Sequence, residues 1–136
     1  MSTQTIKILI VEDEVISQKV LANFLRPYGE CSFASNGVEG FEKFLTAHQK
    51  GVSYDLLCLD IMMPIQNGLA TLKQIRDWEK RNNIADQQIA KCIMVTAIDN
   101  EKNRTKALEQ NCDGYITKPI KIQELIKKLE ELGFSK

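Results

Sequence analysis

The fold is decided by the stretch YDLLCLDIMMPIQNG, residues 54–68. Its apolar run, Leu56 to Leu59, has the length and composition of a buried strand, and it ends on an acid, Asp60. Pro64 and Asn67-Gly68 then predict a loop that leads into a helix capped by Asn67. A carboxylate at the C-terminal end of a buried strand lies where open α/β sheets bind their ligands. Because strands also end on Asp merely to begin a turn, the rest of the chain must decide between these interpretations.

The composition is that of an ordinary globular domain. With 136 residues, of which 43% are hydrophobic and 26% charged, we expect residues 1–136 to form one domain around one core. Lysine plus arginine and aspartate plus glutamate balance at 18 each. This balance argues against nucleic acid or an anionic membrane surface as a direct partner.

The N-terminus and the reactive residue types add few functional candidates. Met1 to Thr5 is short and polar, and no apolar run approaches the length of a membrane span, so we expect a cytoplasmic protein without a membrane anchor. His48, the single histidine, is predicted to be a solvated residue near a helix end. The cysteines include no CxxC pair and are predicted to be buried thiols in a reducing compartment: Cys31, Cys58, Cys92 and Cys112.

Strand and helix patterns alternate five times along the chain. The other predicted strands are Ile6–Val11, Glu30–Ala34, Lys91–Val95 and Gly114–Thr117. Apolar residues at helical spacing predict four amphipathic helices, with stripes Ile16-Val20-Phe24 (widened by Leu21 and Leu25), Val38-Phe41-Phe44-Leu45, Leu69-Leu72-Ile75-Trp78 and Ile122-Leu125-Ile126-Leu129-Leu132. The alternation predicts an α/β fold, a parallel sheet with helices on both faces.

Two segments are less regular. Residues 81–88 are polar and predict a long loop or a frayed helical extension. Residues 99–110 are helical in pattern but polar almost all round, with only Ala107 and Leu108 clearly apolar. Such a helix buries little, which leaves its exposed faces available to a partner.

Chemically complementary side chains follow four of the five predicted strands. Glu12 and Asp13 end the first strand, Asp60 the third, Thr96 the fourth and Lys118 the fifth. In a parallel sheet these ends meet at one edge, so we expect the side chains to lie together. Each of them alone is explained by a turn, but their convergence is not.

The chemistry of this set predicts phosphoryl transfer. Carboxylates a few ångströms apart repel by about 4 kcal/mol per pair at an effective dielectric constant of 20. A hard cation relieves this repulsion, and Mg2+ suits a site with few protein oxygens. Lys118 and Thr96 supply an ammonium and a hydroxyl for phosphate oxygens. A carboxylate nucleophile together with these groups is what forming an aspartyl phosphate requires.

The chain resembles the receiver domain of two-component response regulators, and the resemblance covers essentially all of it. The motifs that carry it are Val11-Glu12-Asp13-Glu14, Asp60-Ile-Met-Met63-Pro64-Ile-Gln-Asn67-Gly68, Val95-Thr96-Ala97 and Tyr115-Ile-Thr-Lys118-Pro119. The resemblance implies a CheY-like, flavodoxin-like doubly wound sheet of five parallel strands in the order 2-1-3-4-5 with five helices, (βα)5. It also implies a cis Lys118-Pro119 bond.

The same resemblance implies roles for single residues. Asp60 is then the phosphoacceptor, and Glu12, Asp13, Asp60 and the backbone carbonyl of Met62 hold Mg2+, for which Mn2+ is a substitute. Thr96 and Lys118 contact the phosphoryl group. Tyr115, with Thr96, occupies the switch position.

The implied partners are two. A histidine kinase or a histidine phosphotransfer protein donates the phosphoryl group, and the receiver is not an enzyme beyond its own phosphorylation and dephosphorylation. An effector protein then binds the surface formed by the fourth helix, the fifth strand and the last helix, which includes Lys102, Arg104, Lys106, Tyr115 and Gln123. In the switch we hypothesise, Thr96 moves toward the phosphoryl oxygens and Tyr115 rotates inward. The alternative is a fixed, half-exposed tyrosine.

Three other interpretations of the sequence are possible, and named residues argue against each of them. A Mg2+-dependent phosphatase with an aspartate nucleophile needs a second acid two residues later, where this chain has Met62. A flavodoxin-like cofactor binder needs a phosphate loop where this chain has Glu12-Asp13-Glu14. A degenerate receiver would lack the acids, Thr96 or Lys118. The end of the chain after the last helix predicts either a stand-alone receiver or one excised from a larger regulator or hybrid kinase.

Overall fold

The computed structural model describes residues 5–136. Residues 1–4 lie outside the described part. They belong to the predicted domain 1–136 and make up most of the polar N-terminal stretch Met1 to Thr5. Within residues 5–136, no helix combines the length and the apolar character that crossing a membrane requires.

Five strands alternate with five helices, as the sequence predicts. The strands are β1 (Ile6–Val11), β2 (Gly29–Ala34), β3 (Leu56–Leu59), β4 (Lys91–Thr96) and β5 (Gly114–Thr117). The helices are α1 (Val15–Leu25), α2 (Gly37–Gln49), α3 (Gly68–Arg81), α4 (Glu101–Glu109) and α5 (Ile122–Glu131). A short 3-10 helix, Asp86–Gln88, interrupts the predicted loop before β4.

The sheet is parallel throughout, and its strand order β2-β1-β3-β4-β5 confirms the doubly wound prediction. The register aligns the carboxyl ends: Val11 pairs with both Ala34 and Leu59, and Thr96 pairs with Thr117. Backbone hydrogen bonds continue one residue beyond this level, from Asp60 N to Val11 O (3.1 Å) and from Lys118 N to Thr96 O (2.8 Å). The residues that follow the strands therefore emerge together at one edge.

A separate apolar core covers each face of the sheet. On one face, Ile8 and Ile10 of β1 pack with buried leucines of α1 and α5. On the other face, Leu9 and Val11 pack with residues of α2, α3 and α4, among them Phe44, Leu72 and Ala107. Because successive strand residues point to opposite faces, the continuous apolar run of β1 serves both cores.

The predicted buried stripe of α1 is partly wrong. Ile16 is 78% exposed and Val20 40% exposed, whereas Leu21, Ala22 and Leu25 are buried. The helix carries two neighbouring apolar stripes, and the leucine stripe fits the sheet while the other faces outward. Val38 and Ile122, also predicted to be in buried stripes, are exposed at 41% and 37%.

The polar helix α4 buries little, as predicted. Of its two apolar candidates Ala107 is fully buried, but Leu108 is 67% exposed. The four cysteines are free thiols, and only Cys58 and Cys92 are fully buried. Burial raises the pKa of Cys58 to about 12, so this thiol stays protonated and unreactive.

A largely buried arginine ties α3 to the amino-terminal edge of the sheet. The side chain of Arg76 donates to Glu79 Oε1 (2.8 Å), Ala90 O (2.7 Å), Asn111 O (3.0 Å) and Asp113 Oδ2 (3.2 Å). Glu79, only 3% exposed, also accepts from Ala90 N. One guanidinium therefore joins α3, the start of β4 and the α4–β5 connection.

We expect Arg76→Ala to lower the free energy of unfolding by about 3 kcal/mol, because it leaves the Glu79 carboxylate buried without its cation. Urea unfolding followed by circular dichroism measures the change. Lys73→Ala is the matched control on the same helix, since Lys73 pairs with Asp77 in an exposed bridge and its loss is expected to matter little. Equal effects of the two substitutions would contradict the role of Arg76.

Candidate functional site

The carboxyl edge of the sheet brings the predicted acids together. Glu12 and Asp60 are buried, at 1% and 6% exposure, and Asp13 beside them is exposed. One carboxylate oxygen of each of the three lies within 4.8 Å of the others. Glu12 N donates to Ala34 O and Asp60 N to Val11 O, so the sheet itself fixes the backbone under both buried acids.

Lys118 lies across the two buried acids. Its Nζ donates to Glu12 Oε2 (3.1 Å) and Asp60 Oδ2 (3.2 Å). Burial lowers the pKa of Lys118, but the hydrogen bond to Glu12 and the charge of Asp60 outweigh burial and leave the pKa above its ordinary value. The ammonium is therefore a permanent positive charge at the carboxyl edge of the sheet. The Lys118-Pro119 bond is cis, as the resemblance implied.

One ammonium does not compensate the acids fully. Burial, and next a hydrogen bond with Asp60, raise the pKa of Glu12 to about 7, although Lys118 acts in the opposite direction. A carboxyl group held at that pKa is short of positive charge. Three clustered carboxylates with this deficit are the donor set that a hard divalent cation takes, so the residues fit Mg2+.

The loop after β3 holds Asp60 in place. Asp60 Oδ1 accepts from Met62 N (3.2 Å), and Asn67 Oδ1 caps α3 by accepting from Ala70 N (2.9 Å), as predicted. Gly68 is required by space, since a Cβ there would lie 2.1 Å from the carbonyl oxygen of Asp60. The Met62 side chain is 66% exposed. The role of its carbonyl as a metal ligand stays a prediction.

Thr96 and Tyr115 meet at a shared residue. Thr96 is fully buried, and its Oγ1 accepts from Ile98 N (3.3 Å). The Tyr115 hydroxyl donates to Ile98 O (2.6 Å), and the guanidinium of Arg104 lies 4.5 Å from the centre of the Tyr115 ring. The β4–α4 connection thus links the strand-end threonine to the tyrosine, which is anchored at its tip rather than free at the surface.

Two residues of α1 join the site without having been predicted. Ser17 Oγ lies 3.5 Å from Lys118 Nζ, and Gln18 Nε2 donates to Glu12 O at 2.6 Å. On the sequence they are ordinary polar residues of a helix. The one sequence feature that points to them is their position in the first turn of α1, directly after Glu12-Asp13-Glu14, because this turn begins at the same edge of the sheet.

A depression of about 510 Å3 opens beside the acids. It is lined by Asp13, Ile61, Met62, Met63, Pro64, Asn67 and Ile98. Of the three clustered acids, Asp13 lines this depression, together with residues of the β3–α3 loop.

Known proteins are similar in sequence to this chain along nearly its whole length. The osmolarity two-component system protein SSK1 of Saccharomyces cerevisiae is 32% identical in an alignment 149 positions long, which covers 94% of this chain and 20% of that protein. The transcriptional regulatory protein ResD of Bacillus subtilis is 34% identical over 131 residues, 96% of this chain and 49% of ResD. The chain thus spans about a fifth of SSK1 and about half of ResD.

Solved structures share the fold. A chain in the co-crystal structure of the Saccharomyces cerevisiae histidine phosphotransfer signaling protein Ypd1 and the receiver domain of its downstream response regulator Ssk1 superposes with a TM-score of 0.80. It is 33% identical, and the match covers 98% of this chain and 92% of that one. The family model for the response regulator receiver domain matches residues 8–130. The chain therefore belongs to the response regulator receiver domain family of two-component signalling.

Proposed function

We propose that this chain, as one receiver unit over residues 1–136, accepts a phosphoryl group on Asp60. The observation that carries the proposal is the contact of Asp60 Oδ2 with Lys118 Nζ at 3.2 Å, inside a cluster with Glu12 and Asp13. Asp60 is the buried acid that directly follows the central strand β3, and residues of the loop after it line the depression. Glu12 is buried behind it, and Asp13 lies at the exposed rim.

The proposed donor is a phosphohistidine of a histidine kinase or a histidine phosphotransfer protein. The P–N bond of the donor breaks as a P–O bond to an Asp60 carboxylate oxygen forms, and the donor imidazole keeps the electron pair. The similarity to a receiver crystallised with Ypd1 supports such a donor. The reaction is a signalling event on this chain and not turnover of a metabolite.

Each neighbour of Asp60 has a proposed task in this transfer. Glu12, Asp13, Asp60 and the Met62 carbonyl would hold Mg2+, with Mn2+ as a substitute. When bound, the cation neutralises charge on the phosphoryl oxygens. Lys118 places its ammonium against those oxygens, and the Thr96 hydroxyl donates to one of them. Lys118 already contacts Asp60, and Thr96 ends the neighbouring strand β4 at the same edge of the sheet.

The proposed output is the surface of α4, β5 and α5, which binds an effector protein. The chain offers a path to it, because Thr96 contacts Ile98 N while Tyr115 contacts Ile98 O. When Thr96 is drawn toward a phosphoryl group, its contact with Ile98 N changes. The contact of the Tyr115 hydroxyl with Ile98 O then changes with it. The α4 helix can respond, since Ala107 is its only buried residue.

Asp60→Asn is expected to abolish covalent labelling by acetyl phosphate in the presence of Mg2+, because the amide is not a nucleophile. Borohydride trapping followed by mass spectrometry of peptides locates the label. Asp55→Asn is the matched control, an exposed aspartate at the opposite end of the same strand, and it should label as the wild type does. Label on any residue other than Asp60 would refute the assignment.

Mg2+ is expected to stabilise the wild-type fold by about 2.7 kcal/mol at a hundred times its Kd, since it binds the native site. Replacing both Glu12 and Asp13 with alanine should remove this Mg2+-dependent gain while the protein still folds, because repelling carboxylates are lost together. Thermal melts with and without Mg2+ measure it. Glu14→Ala, an exposed acid of the same loop, should keep the gain. An undiminished gain in the double variant would rule out this metal site.

Tyr115→Phe is expected to weaken the structural change that activation at Asp60 causes in α4, because the ring remains while the hydrogen bond to Ile98 O is lost. When beryllofluoride and Mg2+ are added, the changes in the amide chemical shifts of α4 should be less than half of those in the wild type. Tyr54→Phe, a partly buried tyrosine at the other end of the sheet, should leave the change intact. If α4 amides of the wild type do not respond while the Asp60 loop does, the signal leaves by another route.

A further inference from the structure

The β3–α3 loop contains a backbone conformation that its sequence does not suit. Ile65 has a φ of +71°. Elsewhere in residues 5–136, positive φ is found only at two glycines and two asparagines: Gly51, Gly133, Asn83 and Asn111. Glycine and asparagine adopt this left-handed region at low cost, whereas a β-branched side chain crowds the backbone there. Four such positions carry the expected residue types, and the fifth carries isoleucine.

Packing within the chain does not explain isoleucine at this position. The Ile65 side chain is 80% exposed. Its backbone is held from both sides, by hydrogen bonds from Gln66 N to Pro64 O (2.8 Å), from Gly37 N to Gln66 O (3.2 Å) and from Gly68 N to Ile61 O (3.0 Å). The loop therefore imposes the conformation, and an asparagine would satisfy it better and leave less apolar surface in water.

A strained residue that gains nothing from its own fold indicates a function for its side chain. Ile65 lies five residues after Asp60, in the same loop as Met62, which is 66% exposed. Two large apolar side chains are thus exposed in the loop that follows Asp60, and one of them, Met62, lines the depression that also borders Asp13. Any protein that brings a phosphohistidine into bonding reach of Asp60 has to cover this loop, whereas a small phosphate donor does not.

We propose that Ile65 is a docking and specificity residue for the protein that delivers the phosphoryl group, a histidine phosphotransfer protein with an apolar surface around its histidine. This inference rests on the proposed function of Asp60. Docking removes the Ile65 side chain from water, and this gain offsets the strained backbone.

The test separates backbone strain from docking by the choice of substitution. Ile65→Asn relieves the strain and removes the apolar surface, so the Tm should rise by roughly 2–6 °C. Docking is measured by a ratio of two rates: transfer from phosphorylated Saccharomyces cerevisiae Ypd1, divided by labelling with acetyl phosphate. Ile65→Asn should lower this ratio about tenfold. Ile65→Thr keeps the branched, strained backbone and should lower this ratio with little rise in Tm. Ile65→Leu should keep the ratio.

Val52→Asn is the matched control, because Val52 is 42% exposed in a loop at the opposite edge of the sheet and should leave the ratio at the wild-type value. An Ile65→Asn variant that does not gain stability overturns the strain argument, and one that keeps the ratio overturns docking. A wild-type chain labelled by acetyl phosphate but not by phosphorylated Ypd1 overturns the docking inference alone. Failure with both donors overturns the proposed function itself.

Discussion

The structure depends on keeping negative charge buried at the carboxyl edge of a parallel sheet. Glu12 and Asp60 leave adjacent strands at the same level, so their repulsion follows from the register of β1 and β3. Lys118 comes from the far strand β5 and reaches both acids, at 3.1 and 3.2 Å. Its charge is not sufficient, as the Glu12 pKa of about 7 shows. A site left short of positive charge is suited to recruit a cation and then a phosphoryl group with it.

A second charge cluster, at the opposite edge, is complete. The Arg76 guanidinium has acceptors for its donors in Glu79, Ala90, Asn111 and Asp113. No buried side-chain nitrogen or oxygen lacks a partner in the described part of the chain. The two edges differ instead in charge balance: at one edge the Arg76 guanidinium pairs with Glu79 and Asp113, whereas at the other the single ammonium of Lys118 faces a cluster of three carboxylates.

Much of this arrangement was predictable from sequence because it depends on chain order. The bounds of β1 and β3 and the meeting of Glu12, Asp13, Asp60, Thr96 and Lys118 follow from alternation and parallel topology alone. The outward face of α1 was not predictable, since Ile16 and Leu21 satisfy helical periodicity equally well and only packing chooses between them. Ser17, Gln18 and the partners of Arg76 depend on side-chain directions across elements distant in sequence, which periodicity does not encode.

The position of α4 between the two clusters determines which part of it can move. Its carboxyl end is fixed, because Arg76 binds the Asn111 carbonyl and Cys112 N donates to Ala107 O. Its amino end depends on the β4–α4 connection, where single contacts from Thr96 and Tyr115 meet at Ile98. With Ala107 as its one buried residue, the helix has little packing to resist a tilt. A change at Thr96 is therefore expected to swing the amino end of α4 about an anchored carboxyl end, and the surface that changes most is the one nearest Tyr115 and Arg104.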